Sequence, residues 1–126
     1  MKRKILVVDD EHEYVALLSD ILTTHGYGVI SAYDGQQALE IISKDKPDLI
    51  ILDVKMPNMN GWEVGKIINS DTRYSHIPFL MLTACGEFDD IKKGMELGAV
   101  SYISKPFKRD TLLALVEGLI SKATSS

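Results

Sequence analysis

The chain has 126 residues, 45% of them hydrophobic and 25% charged. That is the composition of one folded globular domain, not of a disordered, collagenous or coiled-coil chain. The net charge of −4 at pH 7 gives no overall attraction to nucleic acid or to an anionic membrane.

The charge is unevenly spread. Residues 1–63 carry 6 basic and 11 acidic groups, whereas residues 64–126 carry 8 and 7. Acidic groups are thus concentrated in the first half, as they would be around a cation. The single cysteine, Cys85, excludes an internal disulfide and suits a reducing compartment. Lys2-Arg3-Lys4 precedes only four apolar residues, too few for a signal peptide. No run approaches the ~18 apolar residues of a membrane span. A soluble, cytoplasmic, single-domain protein over residues 1–126 is the expectation.

Two hydrophobic periods alternate along the chain. Ile5-Leu6-Val7-Val8 is a continuous apolar run that predicts a first strand. Tyr14, Leu18, Ile21 and Leu22 then fall on one helical face, with Gly26 as a C-terminal stop. Val29-Ile30 predicts a short, edge-like strand. Asp34 and Gln37 have capping-box spacing ahead of Ala38, Ile41 and Ile42, which predicts a second helix. Leu49 to Leu52 is the third strand. Trp62 opens a third helical stripe of Val64, Ile67 and Ile68. Phe79 to Leu82 is the fourth strand. Phe88, Ile91 and Met95 form a fourth stripe, interrupted by Gly94, which costs about 1 kcal/mol against Ala in a helix. Val100 to Ile103 predicts a weaker, edge-like fifth strand. Leu112, Leu115, Val116, Leu119 and Ile120 form the fifth and clearest stripe. Continuous apolar runs suit strands covered on both faces. Five successive β-α units therefore predict a doubly wound α/β fold with a five-stranded parallel sheet.

The chemistry-bearing residues stand where strands end. Asp9 and Asp10 follow the first strand, Asp53 the third, Thr83 the fourth, and Lys105 lies just past the fifth. The second strand ends at Ser31-Ala32. Ligands of open α/β sheets bind beyond the carboxyl ends of strands, at a topological switch point. With strand 2 at an edge and strands 1, 3, 4 and 5 adjacent, three carboxylates, a hydroxyl and an ammonium share one pocket. Packed carboxylates repel one another and raise each other's pKa. A divalent cation or Lys105 relieves that repulsion. Oxygen ligands of this kind favour Mg²⁺. A carboxylate beside Mg²⁺, a lysine and a threonine is suited to form an aspartyl phosphate. Each residue also has a plain reading. Asp10 could cap a helix with Glu13, Asp53 could serve a turn before Pro57, Thr83 could be an idle strand end, and Lys105 a surface lysine. It is the coincidence of all five at strand ends that favours a site.

Lys4-Ile5-Leu6-Val7-Val8-Asp9-Asp10-Glu11 resembles the opening of the response-regulator receiver family of two-component signalling. Leu49 to Pro57 (LIILDVKMP) with Gly61 resembles its phosphorylation motif. Pro78 to Ala84 (PFLMLTA), Gly98-Ala99 and Lys105-Pro106-Phe107 complete the match across essentially the whole chain. The resemblance implies a flavodoxin-like (βα)5 fold with strand order 2-1-3-4-5. It implies Asp53 as phosphoacceptor, and Mg²⁺ on Asp10, Asp53 and the backbone carbonyl of Lys55, with Asp9 acting mainly through water. It implies contact of Thr83 and Lys105 with the phosphoryl group, Tyr102 as the switch aromatic, and a cis Lys105-Pro106 bond. The implied donor is a sensor histidine kinase or histidine phosphotransfer protein. The implied output is a downstream protein bound on the face of the fourth helix, fifth strand and fifth helix, with no direct binding of nucleic acid or membrane. Such a domain is not a separate enzyme. A Mg²⁺-dependent aspartyl phosphatase would need a second Asp where Lys55 stands. A flavin module would need a phosphate-cradling first loop, where Asp9-Asp10-Glu11 stands. A degenerate receiver would not keep all five residues.

By the same resemblance, Lys55 and Cys85 flank the path of hydrolytic water. Neither offers a carboxylate or amide to position that water, whereas an ammonium can bond phosphoryl oxygens. A long-lived aspartyl phosphate is therefore expected, and Lys55→Asn should shorten its lifetime several-fold. The measurement is autodephosphorylation of the purified phosphoprotein at fixed Mg²⁺ and pH. An equal or slower rate in the variant removes Lys55 from that role.

Overall fold

All five apolar runs become parallel strands: β1 (Lys4–Val8), β2 (Gly28–Ala32), β3 (Leu49–Asp53), β4 (Phe79–Ala84) and β5 (Ser101–Lys105). The computed structural model describes residues 2–84 and 101–124, with side chains up to Leu82 and from Ser101 to Ser121. The Phe88, Ile91, Met95 stripe, Gly94, Cys85, Gly98-Ala99 and Val100 lie outside the described residues. The sheet order is β2-β1-β3-β4-β5, so this is the doubly wound, flavodoxin-like arrangement expected. Strand β2 is one edge and β5 the other, as their weaker apolar runs suggested.

Alternation within the continuous runs explains why they are continuous. Ile5 and Val7 of β1 face a core built with Val15, Leu18 and Leu22 of α1 (His12–Thr24) and with Val116 and Ile120 of the C-terminal helix (Arg109–Thr124). Leu6 and Val8 face the opposite core, with Ala38 and Ile42 of α2 (Gly35–Lys44) and Val64 and Ile68 of α3 (Gly61–Ser70). Successive strand side chains point to opposite faces, so a strand covered on both sides must be apolar at every position.

Local signals set the helix ends. Gly26 has φ +89°. Its N–H bonds Thr23 O at 3.0 Å, and Tyr27 N–H bonds Leu22 O at 3.1 Å, a Schellman closure that favours glycine. Asp34 caps α2 by accepting from Gln37 N–H at 2.7 Å, as its spacing predicted. The return bond from the Gln37 side chain takes Tyr33 N–H at 2.7 Å, one residue earlier than in a standard box. An unanticipated capping box, Asn60 with Glu63, starts α3. Not every stripe residue is fully buried, and Ile41 and Leu115 are half-buried against the cores. Ile67 is 44% exposed, because Val64 and Ile68 already span the buried arc of a helix this short. Tyr14 is only half-buried, and Val15 takes its place in the α1 core.

The chain leaves β1 toward β2 on one side and returns to β3 on the other, so the topological switch point lies beyond the ends of β1 and β3. The loop after β3 is locked there. Gly61 N–H bonds Val54 O at 2.8 Å. A Cβ at Gly61 would stand 2.3 Å from Asp53 O and 3.0 Å from Val54 Cα. Both obstacles are backbone, so neither can swing aside. Gly61→Ala should therefore destabilise the fold by about 1–3 kcal/mol, measured by urea unfolding. An unchanged midpoint would show that the loop yields freely.

Candidate functional site

Asp9 directly follows β1 and is fully buried. Its N–H bonds Ala32 O at 3.2 Å, and its Oδ1 accepts the Glu11 N–H at 2.9 Å, turning the chain into α1. Glu11, not Asp10, is the N-cap of that helix, and no side-chain cap bond forms there. The plain reading of Asp10 as a helix cap therefore fails. Asp53 is the last residue of β3 and is 4% exposed. Oxygens of Asp9, Asp10 and Asp53 lie within 4.8 Å of one another, with Asp10 the most open to solvent.

Lys105, at the end of β5, reaches across this group and is 8% exposed. Its Nζ lies 2.7 Å from Asp9 Oδ2, 3.0 Å from Glu11 Oε1 and 3.5 Å from Asp53 Oδ2. The ring of Tyr14 lies beneath it, 4.3 Å from ammonium to centroid. The Lys105-Pro106 peptide is cis. Lys105 is thus not a surface lysine.

Three carboxylates face one ammonium and Asp10 stands beside them, which leaves an excess of negative charge. Burial, and next the neighbouring Asp9 charge, push the Asp53 carboxyl up to about 7, against the opposing pull of Lys105. Burial works against the Lys105 charge, but hydrogen bonds to Asp9 and Glu11 and the charges of Asp53 and Asp9 outweigh it and raise its pKa. Asp9 Oδ2 is buried without a hydrogen-bond donor of regular geometry, although it is ion-paired with Lys105. A hard-oxygen donor set with surplus negative charge, whose buried Asp9 Oδ2 has only the ion pair to Lys105, fits a small divalent cation.

The structure thus brings Asp9, Asp10, Asp53 and Lys105 together. Thr83 lies in β4 beside Ser104, one residue past the Leu82 that pairs with Asp53; its side chain is outside the described residues. Lys55 is exposed, two residues beyond β3. Tyr102 on β5 is 40% exposed, so it is not a core aromatic. Two residues at the ammonium went unassigned in the sequence. Glu11 lies 94 positions from Lys105, and no local pattern links them. Tyr14 read as one member of an apolar stripe. His12, also unassigned, stacks on Tyr33 with ring centroids 4.1 Å apart.

The sequence profile of the response regulator receiver domain matches residues 5–117. The chain belongs to the response-regulator receiver family. It is 44% identical over 123 residues to the alkaline phosphatase synthesis transcriptional regulatory protein PhoP of Bacillus subtilis, covering 98% of this chain and 50% of that protein. It is 39% identical to sporulation initiation phosphotransferase F of the same organism, covering 89% of each. The solved structure of Vibrio cholerae chemotaxis protein CheY4 superposes with a TM-score of 0.89 at 35% identity, covering 94% of this chain and 99% of that one. The chain spans about half the length of the transcriptional regulators it matches. Receiver domains are signalling domains, not metabolic enzymes. Among the described residues, no helix is long and apolar enough to cross a membrane.

A carboxyl raised to about 7 in the fold binds more protons there than in the unfolded chain. Its contribution to stability is present below about pH 4 and lost as pH rises through about 7. In metal-free protein, Asp53→Asn should therefore raise stability by about 1–3 kcal/mol at pH 8 and little at pH 4.5. Mg²⁺ should raise the melting temperature more at pH 8 than at pH 5.5, because protons compete for the same oxygens. Thermal melts at both pH values, with Mg²⁺ or with chelator, check this. A pH-independent gain would show that Asp53 ionises normally in the fold.

Proposed function

We propose that this receiver domain takes a phosphoryl group onto Asp53 from a phosphohistidine of a sensor histidine kinase or histidine phosphotransfer protein. The observation that carries this reading is the buried Asp53 carboxylate at the switch point. It has Lys105 Nζ 3.5 Å from Oδ2 and carboxylate oxygens of Asp9 and Asp10 within 4.8 Å. Asp53 provides the nucleophilic oxygen. The new O–P bond forms as the P–N bond breaks, and its electron pair returns to the imidazole. Lys105 offsets charge on the transferred oxygens. Asp10, Asp53 and the backbone carbonyl of Lys55 would hold Mg²⁺, with Asp9 acting through water. Bound there, Mg²⁺ supplies positive charge for the phosphoryl oxygens. Thr83 takes a phosphoryl oxygen and, with Tyr102, relays the change to the protein-binding face that includes β5 and the C-terminal helix. The exposed Tyr102 ring suits a two-position switch on that face.

The output on this reading is a protein contact made in the cytoplasm. The acidic chain has no charge attraction for nucleic acid, so residues 1–126 act as a single receiver unit and not as a DNA reader.

Intact mass in acetyl phosphate with Mg²⁺ is the test. The mass should rise by one phosphoryl group, and Asp53→Asn should abolish the gain. Equal labelling of the variant would overturn the assignment.

A further inference from the structure

The Lys105 ammonium has four neighbours of two kinds. Asp9 and Asp53 belong to the carboxylate group that fits a divalent cation. Glu11 and Tyr14 do not belong to it. A cation bound to the carboxylates draws on the same negative charge that holds the lysine, and it repels the ammonium directly. Two contacts lie outside that competition. One is the hydrogen bond to Glu11 Oε1 at 3.0 Å. The other is the Tyr14 ring face at 4.3 Å, an attraction that needs no anion.

Both partners are held where the ammonium needs them. The Glu11 N–H is fixed to Asp9 Oδ1 at 2.9 Å. Tyr14 N–H bonds Glu11 O at 3.0 Å across the first turn of α1, and the Tyr14 ring rests against Phe107 with centroids 6.1 Å apart. Glu11 is the N-cap of α1 and Tyr14 stands in its first turn. Phe107 lies two residues past Lys105, and its contact with Tyr14 brings the turn after β5 and the start of α1 together at the lysine.

We propose that Glu11 and Tyr14 are positioning residues for Lys105, holding its ammonium beside Asp53 when a divalent cation draws on the charge of Asp9 and Asp53. The proposal rests on the reading of Asp53 as a cation-assisted phosphoacceptor. Glu11 is 59% exposed at its side chain, so its share weakens with salt. Tyr14 is half-buried, so its share persists.

Beryllofluoride, a phosphoryl mimic, is the probe, with affinity measured by calorimetry at saturating Mg²⁺. Glu11→Gln and Tyr14→Leu should each weaken binding about threefold to tenfold. Tyr14→Phe keeps the ring and should match wild type. In a Lys105→Met background, neither Glu11→Gln nor Tyr14→Leu should weaken binding further. A full-sized loss in that background overturns the proposal. A second readout follows the Lys105 ammonium by ¹H–¹⁵N spectroscopy as Mg²⁺ is added without beryllofluoride. Its protons should stay protected from exchange in wild type and lose protection in Glu11→Gln and Tyr14→Leu. Loss of protection in wild type on adding Mg²⁺ also overturns it. This arm needs only variants that keep Lys105, so it decides even where Lys105→Met does not fold. Wild type that takes no beryllofluoride, or an Asp53→Asn variant that binds it equally, would overturn the phosphoacceptor reading instead. The spectroscopic arm would then judge the lysine contacts alone.

Discussion

One buried ammonium surrounded by carboxylates is the constraint on which this site depends. Lys105 is 8% exposed, and Asp9 beside it is fully buried. Neither charge is tolerable alone in a dry interior, because desolvation penalises each. Together they hold each other charged, yet one cation does not balance the three carboxylates it touches. The remaining strain appears at Asp53, whose carboxyl is driven up to about 7 chiefly by burial and by Asp9. A site left short of positive charge is a site ready for a cation and for a group that brings its own.

The fold exists in the form that makes this crowding possible. Strands β1 and β3 are neighbours although β2 lies between them in sequence. Their carboxyl ends therefore open a cleft that the connecting segments leave on opposite sides. The two apolar layers hold β1 and β3 rigidly from both faces. Asp9 and Asp53 are carried at the ends of buried strands, which restrains their retreat from one another. Gly61 adds a second restraint, because its missing side chain lets α3 begin against the backbone of Asp53.

Much of this was legible along the chain. Strands with both faces covered show uninterrupted apolar runs, and Gly26 and Asp34 mark helix ends through backbone chemistry that needs no distant partner. Asp9, Asp10, Asp53 and Lys105 stood out because charged residues at strand ends are out of place in an ordinary core. Ile67 and Tyr14 misled for one reason. A stripe of helical spacing lists the residues able to face inward, but the neighbouring elements decide how wide the buried arc is. The capping spacing of Asp10 with Glu13 was the weaker of its two readings, and the helix begins one residue later.

The sequence by itself determined the element order, the class of fold and the acidic and basic residues available at strand ends. Those follow from periodicity, turn chemistry and charge, all of which act over a few residues. Only the tertiary structure decided which of those groups meet. Glu11 bonds a lysine 94 positions away, and Tyr14 offers its ring to that lysine instead of to the core. The elevated Asp53 carboxyl is likewise a property of the assembled site, since burial and the approach of Asp9 cause it. Electrostatic energy depends on distance through space and on exclusion of water, and neither quantity exists until the strands are side by side.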